Sequence, residues 1–445
     1  FLSIIVTELS KLRKKWNAPV FFLTLFLLII FSFFNNNHAL RFGKENTSRN
    51  QTITDNFDQW LSYKLQQPYF IKNDTARIYV MAAEGGGIRS AYWTAGLLVK
   101  LQNEFPDLMR NTYAMSGVSG GSVGLATFNA YYRDHCLPSN RKADTTDIKT
   151  ILGEDFLSPL LAGMLFPDMV QRFLPFPIES FSRARQLENS WSNIYEDVIN
   201  ENTPNLPLQE LWNDNNRFDL PNLFFNTTRV ETGNKSLISN LKLDKRYFPA
   251  AIDVENVSGK QYLLKSATFA SARFPFVTPV AKISDEDGDY WGNIVDGGYF
   301  DNTGLHTALE IHDMIREELK EKSLDSNLTI IPTLIFFRNS QSSVDSTTTG
   351  LKNLYETTAP LLSFYNSWLS RANYFTYDVD NISQDIEFDY ARFHLPDTLN
   401  GEQIKFPLGW TLSEITQKNM DALIKDVDND ARNKEFYDRL KSWMK

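Results

Sequence analysis

The sequence predicts an α/β domain on a mostly parallel central sheet, preceded by an N-terminal transmembrane helix. Three observations predict it. Two strand–loop–helix stretches follow one another between residues 77 and 133, each broken by a Gly-rich loop, and a long uncharged apolar run lies near the N-terminus.

The apolar run comes first. Residues 18–34 (APVFFLTLFLLIIFSFF) carry no charge, which is at the short end of what spans a bilayer. No small-x-small cleavage site follows, so a signal peptide fits less well than an anchor. Lys11, Arg13, Lys14 and Lys15 crowd its N-terminal side, whereas Arg41, Lys44 and Arg49 are spread out beyond it. The positive-inside rule then sets residues 1–17 in the cytoplasm and the large domain outside. Residues 1–6 also suit the tail of an earlier span. Residues 35–75 are polar and Asn-rich and read as a linker with a short amphipathic helix near 57–65.

The catalytic domain is expected over 76–445. Residues 77–83 (RIYVMAA) read as a buried strand, 89–103 as a helix, 111–116 as a second strand and 122–133 as a second helix. This alternation implies parallel strands. Residues 150–215 hold apolar helical fragments broken by Pro159, Pro167, Pro175 and Pro177, an insertion that suits either a lid or a core-packing segment. Strand-like runs return at 223–230, 261–265, 293–295 and 329–337, with a helix over 303–322. Residues 340–350 read as a loop. Thr411 with Glu414 forms a capping-box pattern that opens a final helix to about residue 426.

Composition narrows the chemistry. The chain has 445 residues, 13% of them aromatic, and a net charge of −9. No basic stripe or Cys/His finger pattern points to nucleic acid. One cysteine, Cys136, excludes an intrachain disulfide, and the five histidines show no zinc-ligand spacing. No metal or cofactor is expected, and nothing specifies an oligomeric state.

Gly117-Val118-Ser119-Gly120-Gly121 fits G-x-S-x-G, a sharp strand-to-helix turn that presents a serine on a strained backbone. Gly85-Gly86-Gly87 also lies between a strand and a helix, and its N–H groups can converge on an anion. In a β-α-β unit both strands end at the same sheet edge, so the Gly loop is expected beside Ser119. Acyl transfer needs that pairing of a nucleophile with preorganised oxyanion donors. Asp296, followed by Gly297-Gly298 at the end of a strand, is the candidate base, because burial can raise a carboxyl pKa toward neutrality. A P-loop is excluded by the missing Lys-Ser/Thr, and a dinucleotide fingerprint by Ser90 at the last Gly position.

These residues resemble the patatin-like phospholipases. The resemblance lies in Glu84-Gly85-Gly86-Gly87-Ile88-Arg89, Gly117–Gly121, Ser271-Ala272-x-x-Pro275 and Asp296-Gly297-Gly298, in family order over roughly 75–310. It implies a three-layer fold and hydrolysis of lipid acyl esters, with membrane lipid as the partner. It also implies a Ser119–Asp296 dyad without histidine and an oxyanion hole from Gly85, Gly86 and Gly87. Arg89 matches the family's basic position, with lipid-phosphate binding and loop fixation both open. Glu84 and Ser90 depart from the usual Asp and Gly. The apolar N-terminus resembles bacterial members with hydrophobic N-terminal regions, which implies an inner-membrane location with the catalytic domain outside.

Three rivals stand beside this reading. A Ser-His-Asp triad would recruit His306, His312 or His394, of which only His306 lies near the Asp296 loop and on a polar helix face. A transacylase would use the same dyad with another alcohol as acceptor. A binding protein could retain the fold without chemistry.

Overall fold

The computed structural model describes residues 7, 11, 20–44, 51–274, 277–322, 327–339 and 388–444. Arg13, Lys14, Lys15, Pro275 and the expected 340–350 loop lie outside the described residues.

Eight strands make up most of the central sheet: β1 Thr75–Ala83, β2 Thr112–Val118, β3 Asn222–Arg229, β4 Lys235–Ser239, β5 Ala281–Ser284, β6 Tyr290–Asp296, β7 Thr329–Arg338 and β8 Asp389–His394. The path runs β8-β7-β1-β2-β3-β6-β5, parallel from β8 to β3 and antiparallel from there on. The main helices are α1 Val20–Ser32, α2 Ile53–Lys64, α3 Gly87–Glu104, α4 Gly120–Tyr131, α5 Arg183–Ile199, α6 Leu264–Ala270, α7 Leu305–Glu321, α8 Glu414–Lys425 and α9 Lys434–Met444.

Alternate residues of a strand point to opposite faces, and here both faces are covered. Tyr79, Met81 and Ala83 of β1 join a core with α3 and α4. Ile78, Val80 and Ala82 join a second core with α2 and α7. Burial on both sides is why residues 77–83 read as a nearly continuous apolar run.

The edge pairing of β3 places the site. Residues Ala114–Val118 of β2 pair with Asn222–Asn226, and Asp296 of β6 pairs with Thr227. Thr227 and Thr228 also pair with β4, so β6 shares the β3 edge that β2 occupies. The two strands run in opposite directions, and their C-termini meet at Asn226 and Thr227.

Several expectations need correction. Residues 35–44 and 51–75, expected as parts of a linker, pack against the domain. In α2, Ile53, Phe57, Trp60 and Leu61 are buried, each contributing about 1.5–3 kcal/mol, and Thr52 caps it by accepting the Asp55 N–H at 3.1 Å. Asn35 and Asn37 donate to the Gln171 and Ile178 carbonyls, both at 3.1 Å. The 261–265 run is a two-residue strand, Gln261–Tyr262, followed by α6. The helix expected to be the last is α8, capped by Ser413, whose hydroxyl accepts the Thr416 N–H at 3.3 Å, not by Thr411, and α9 follows it. In the 150–215 insertion, Leu160, Leu187, Trp191 and Tyr195 are buried in the first core, with the Trp191 indole N–H on Thr127 Oγ1 at 3.1 Å.

The expected transmembrane helix is not supported. Among the described residues no helix is long and apolar enough to cross a membrane. The described helix, α1, has 13 residues and spans about 20 Å at 1.5 Å per residue, short of the roughly 30 Å hydrocarbon core. It is apolar all round: Phe22, Leu23, Leu25, Phe26 and Ile29 are exposed.

Candidate active site

Ser119 lies between β2 and α4 at φ 51° and ψ −124°, a region that costs a non-Gly residue on the order of 1–3 kcal/mol. The surrounding packing holds it there. Its N–H donates to Ser271 O at 3.2 Å and Ser271 Oγ at 3.0 Å. Ser271 Oγ in turn donates to Asn226 O at 2.5 Å. The Ser271 carbonyl also accepts the Gly297 N–H at 3.3 Å, and the Arg273 carbonyl accepts the Asp296 N–H at 3.1 Å. The Ser271–Arg273 segment thus ties the serine turn to the Asp296 turn. Asn226 completes the support, donating to Gly117 O at 2.8 Å and accepting from Thr307 Oγ1 at 2.6 Å.

Asp296 is 2% exposed. Burial pushes its pKa up to about 7, although the Gly298 N–H bond and the Ser119 hydroxyl both act to lower it. Oδ1 accepts the Gly298 N–H at 2.8 Å. Oδ2 is buried with no partner at hydrogen-bond geometry. The Ser119 hydroxyl is therefore close enough to act on the carboxyl without completing a bond to Oδ2, as is common before substrate draws catalytic groups together.

The Gly loop lies against the serine: a Cβ on Gly85 would come within 3.1 Å of Ser119 Cβ. Gly87 has φ +61°, and a Cβ there would sit 2.6 Å from the Gly409 carbonyl. The three glycines differ in their N–H groups. Gly85 N–H donates to Asn302 O at 2.8 Å, so it is committed and is not an oxyanion donor in this geometry. Gly86 and Gly87 N–H groups take no backbone acceptor among the described residues. Gly120, the residue after Ser119, opens α4 in direct apposition to Gly87.

Arg89 fixes the loop. It is buried, and its guanidinium donates to Asn339 Oδ1 at 3.2 and 2.9 Å and to Phe406 O at 2.9 Å. Burial lowers its pKa, with Glu84 acting to raise it. Asn339 is the residue that sequence reasoning missed. Its backbone N–H meets Glu84 Oε2 at 2.7 Å, and its side-chain amide donates to Gly85 O at 2.8 Å. It follows strand β7, far from any motif, and no local pattern marks it.

The histidines lie elsewhere. His306 is partly exposed, 3.2 Å from Lys235 Nζ and 3.5 Å from Glu310 Oε1. His312 and His394 are buried, His312 against Phe388. Burial, Gly298 and Ser119 set the Asp296 environment, with no histidine among the causes. Among the described residues no group of three His, Cys, Asp or Glu could hold a metal. Cys136 is buried, and burial raises its thiol pKa to about 12.

No curated protein sequence matches the chain. Among solved structures, VipD from Legionella pneumophila is 14% identical at a TM-score of 0.34, covering 83% of this chain and 66% of its own. Human GIVD cytosolic phospholipase A2 is also 14% identical, at a TM-score of 0.30, covering 51% of this chain and 33% of its own. This chain thus spans under two thirds of either protein, and the assignment does not rest on them. It rests on the sequence profile of the patatin-like phospholipases, which matches residues 81–309. That match covers just over half of the chain and takes in the Gly loop, the Ser119 turn and the Asp296 turn, so this protein belongs to the patatin-like phospholipase family.

Proposed function

We propose that the chain is a serine acyl hydrolase that cleaves lipid acyl esters, phospholipids foremost, through a Ser119–Asp296 dyad. The observation that carries this reading is the meeting of β2 and β6 on one edge of β3, with a single buried carboxyl of pKa about 7 beside the serine. A base with a pKa near the working pH is the kind that general-base catalysis favours.

In this reading Ser119 Oγ attacks the ester carbonyl and its proton passes to Asp296. The oxyanion is met by the N–H groups of Gly86 and Gly87, at the N-terminus of α3, whose dipole favours negative charge. Collapse expels the alcohol, which takes the proton from Asp296. Water then attacks the acyl-serine as Asp296 takes its proton, and the acyl–Oγ bond breaks as Asp296 returns that proton to Ser119 Oγ, releasing the carboxylic acid. Contact with lipid is assigned to the exposed apolar residues of α1 and to Leu165, Phe166 and Phe176 of the insertion, since exposed apolar groups of this kind suit an interfacial surface.

A lipid-panel hydrolysis assay on wild type, Ser119→Ala and Asp296→Asn tests the reading, with a fluorophosphonate probe reporting the nucleophile. Loss of hydrolysis and labelling in Ser119→Ala is expected. Hydrolysis that persists in Ser119→Ala, or a wild type that neither labels nor turns over, sinks it.

A further inference from the structure

A second cavity, of about 440 Å³, lies at the foot of α1 and takes in Ser32 and Asn35. That size falls within the range of small-molecule sites. Three arginines, Arg172, Arg183 and Arg273, and His38 line it, and no carboxylate does. Val295 and Tyr299 line it too, so it borders the strand and turn that carry Asp296.

Among the described residues, guanidiniums outnumber carboxylates around this cavity. Arg41, Arg172, Arg183 and Arg273 all act on His38. Two buried carboxylates answer them. Asp168 pairs with Arg172 at 3.2 Å and with Arg183, and Glu188 pairs with Arg41 and with Arg273 at 3.7 Å. At the margin, Arg185 and Glu179 oppose each other in their effect on Arg41. Among the described residues, four guanidiniums thus face two buried carboxylates.

Arg273 is the sharpest case. It is 2% exposed, and its Nη1 donates to the carbonyls of His38, Pro279 and Val280 at 3.1–3.2 Å. Its Nε and Nη2 are buried with no hydrogen-bond partner. Its ion pair with Glu188, at 3.7 Å, is shared with Arg41; a buried charge paired so loosely is costly, and arginine forks match the oxygens of phosphate and carboxylate.

We infer that this cavity binds a phosphoryl group, carried by a lipid whose chains lie along the exposed apolar face of α1. The apolar helix and the cationic cavity meet at Ser32–Asn35, so headgroup and hydrocarbon find complementary surfaces side by side. The kinetic arm of the test rests on the hydrolase reading, and the binding arm does not.

The binding arm titrates the full-length Ser119→Ala protein with inorganic phosphate by calorimetry, with and without Arg172→Gln. Arg172 is half-exposed, which makes it the arginine of the cavity least needed for folding. Phosphate binding that weakens about 10- to 100-fold in Arg172→Gln is expected, the worth of one or two hydrogen bonds to a charged group. The kinetic arm compares KM for a lysophosphatidate and for the monoacylglycerol of the same chain, which differ by the phosphoryl group. Arg172→Gln should raise the ratio of the first to the second by a similar factor. Inorganic phosphate that competes with lysophosphatidate identifies a lipid headgroup as the source, and phosphate that binds without competing identifies the free anion. No phosphate binding, together with an unchanged KM ratio, overturns the inference. If Arg172→Gln fails to fold, phosphate titration of the unaltered site decides alone. If the wild type hydrolyses neither ester, the hydrolase reading falls while the titration still decides the cavity.

Discussion

Around Asp296 the protein buries one carboxyl with no cation contributing to its titration. Around His38 it gathers four guanidiniums, Arg172 half-exposed among them, with two buried carboxylates. Burial favours the neutral form in both places. It raises Asp296 to about 7 and lowers His38 to about 2, the latter with help from Arg273, Arg183, Arg172 and Arg41. The consequences differ. A lone buried carboxyl with a neighbouring hydroxyl becomes a proton acceptor near neutral pH. A crowd of guanidiniums cannot neutralise, because arginine does not give up its proton, so it is left to recruit an anion. The first region is held by backbone carbonyls and amides at 2.5–3.3 Å, whereas the second adds ion pairs to its backbone contacts.

The comparison breaks most readily at the dyad. Ser119→Ala and Asp296→Asn should each cut kcat/KM by about 10³- to 10⁴-fold or more, on soluble and vesicle-borne esters alike, read by steady-state kinetics. A residual rate within tenfold of wild type in Asp296→Asn would show that burial is not preparing a base there.

The pH dependence follows with its sign. Asp296 must be ionised to accept a proton, so kcat/KM should fall about tenfold per unit as pH drops below about 7. Stability should move the other way. The folded pKa exceeds the unfolded value near 4, so the protein holds its proton more tightly when folded. The stabilisation is complete below about pH 4 and is lost as pH rises through about 7. Asp296→Asn should therefore be more stable than wild type above pH 7, by up to a few kcal/mol at about 1.4 kcal/mol per unit. Denaturation midpoints across pH 4–9 measure this, and an equal gap at both ends would contradict it.

A smaller effect is expected from Asn339→Ala, which removes the side-chain amide's bonds to the Glu84 and Gly85 carbonyls and to Arg89 while its backbone N–H stays on Glu84. We expect a fall in kcat of about 10- to 100-fold, in line with the loss of one well-placed group that orients the oxyanion loop, with fluorophosphonate labelling slowed but not abolished. The outer region is sharpened by Phe22→Ser with Phe26→Ser. Each exposed ring is worth about 1.5–3 kcal/mol if it is buried in lipid, so vesicle hydrolysis should drop while a soluble short-chain ester is turned over as before. His306→Ala should have the smallest effect, under about twofold, since its ring meets Lys235, Glu310 and Phe300 on the surface side of α7. A large loss there would revive the triad.

Local chemistry was legible where the backbone itself demanded particular residues. A sharp turn presenting Ser119 and a loop apposed to it at Gly85 leave no space for side chains, so the motifs show in the sequence as glycines. Burial on both faces of β1 wrote a long apolar run. Partners across the sheet left no such trace. Asn226, Asn302 and Asn339 act through hydrogen bonds to groups distant in the chain, and one polar residue in a loop looks like any other. The 35–75 stretch looked solvent-loving because its polar residues outnumber the four apolar ones that α2 buries.

The sequence by itself determined the nucleophile turn, the Gly loop, the candidate base and the α/β alternation, because each depends on residues close together in the chain. Only the tertiary structure decided that β2 and β6 meet on one edge of β3, that the Gly85 N–H goes to Asn302, that Arg89 serves the loop, and that four arginines converge at the foot of α1. Those outcomes depend on strand register and on the packing of segments more than a hundred residues apart, and no local periodicity encodes either.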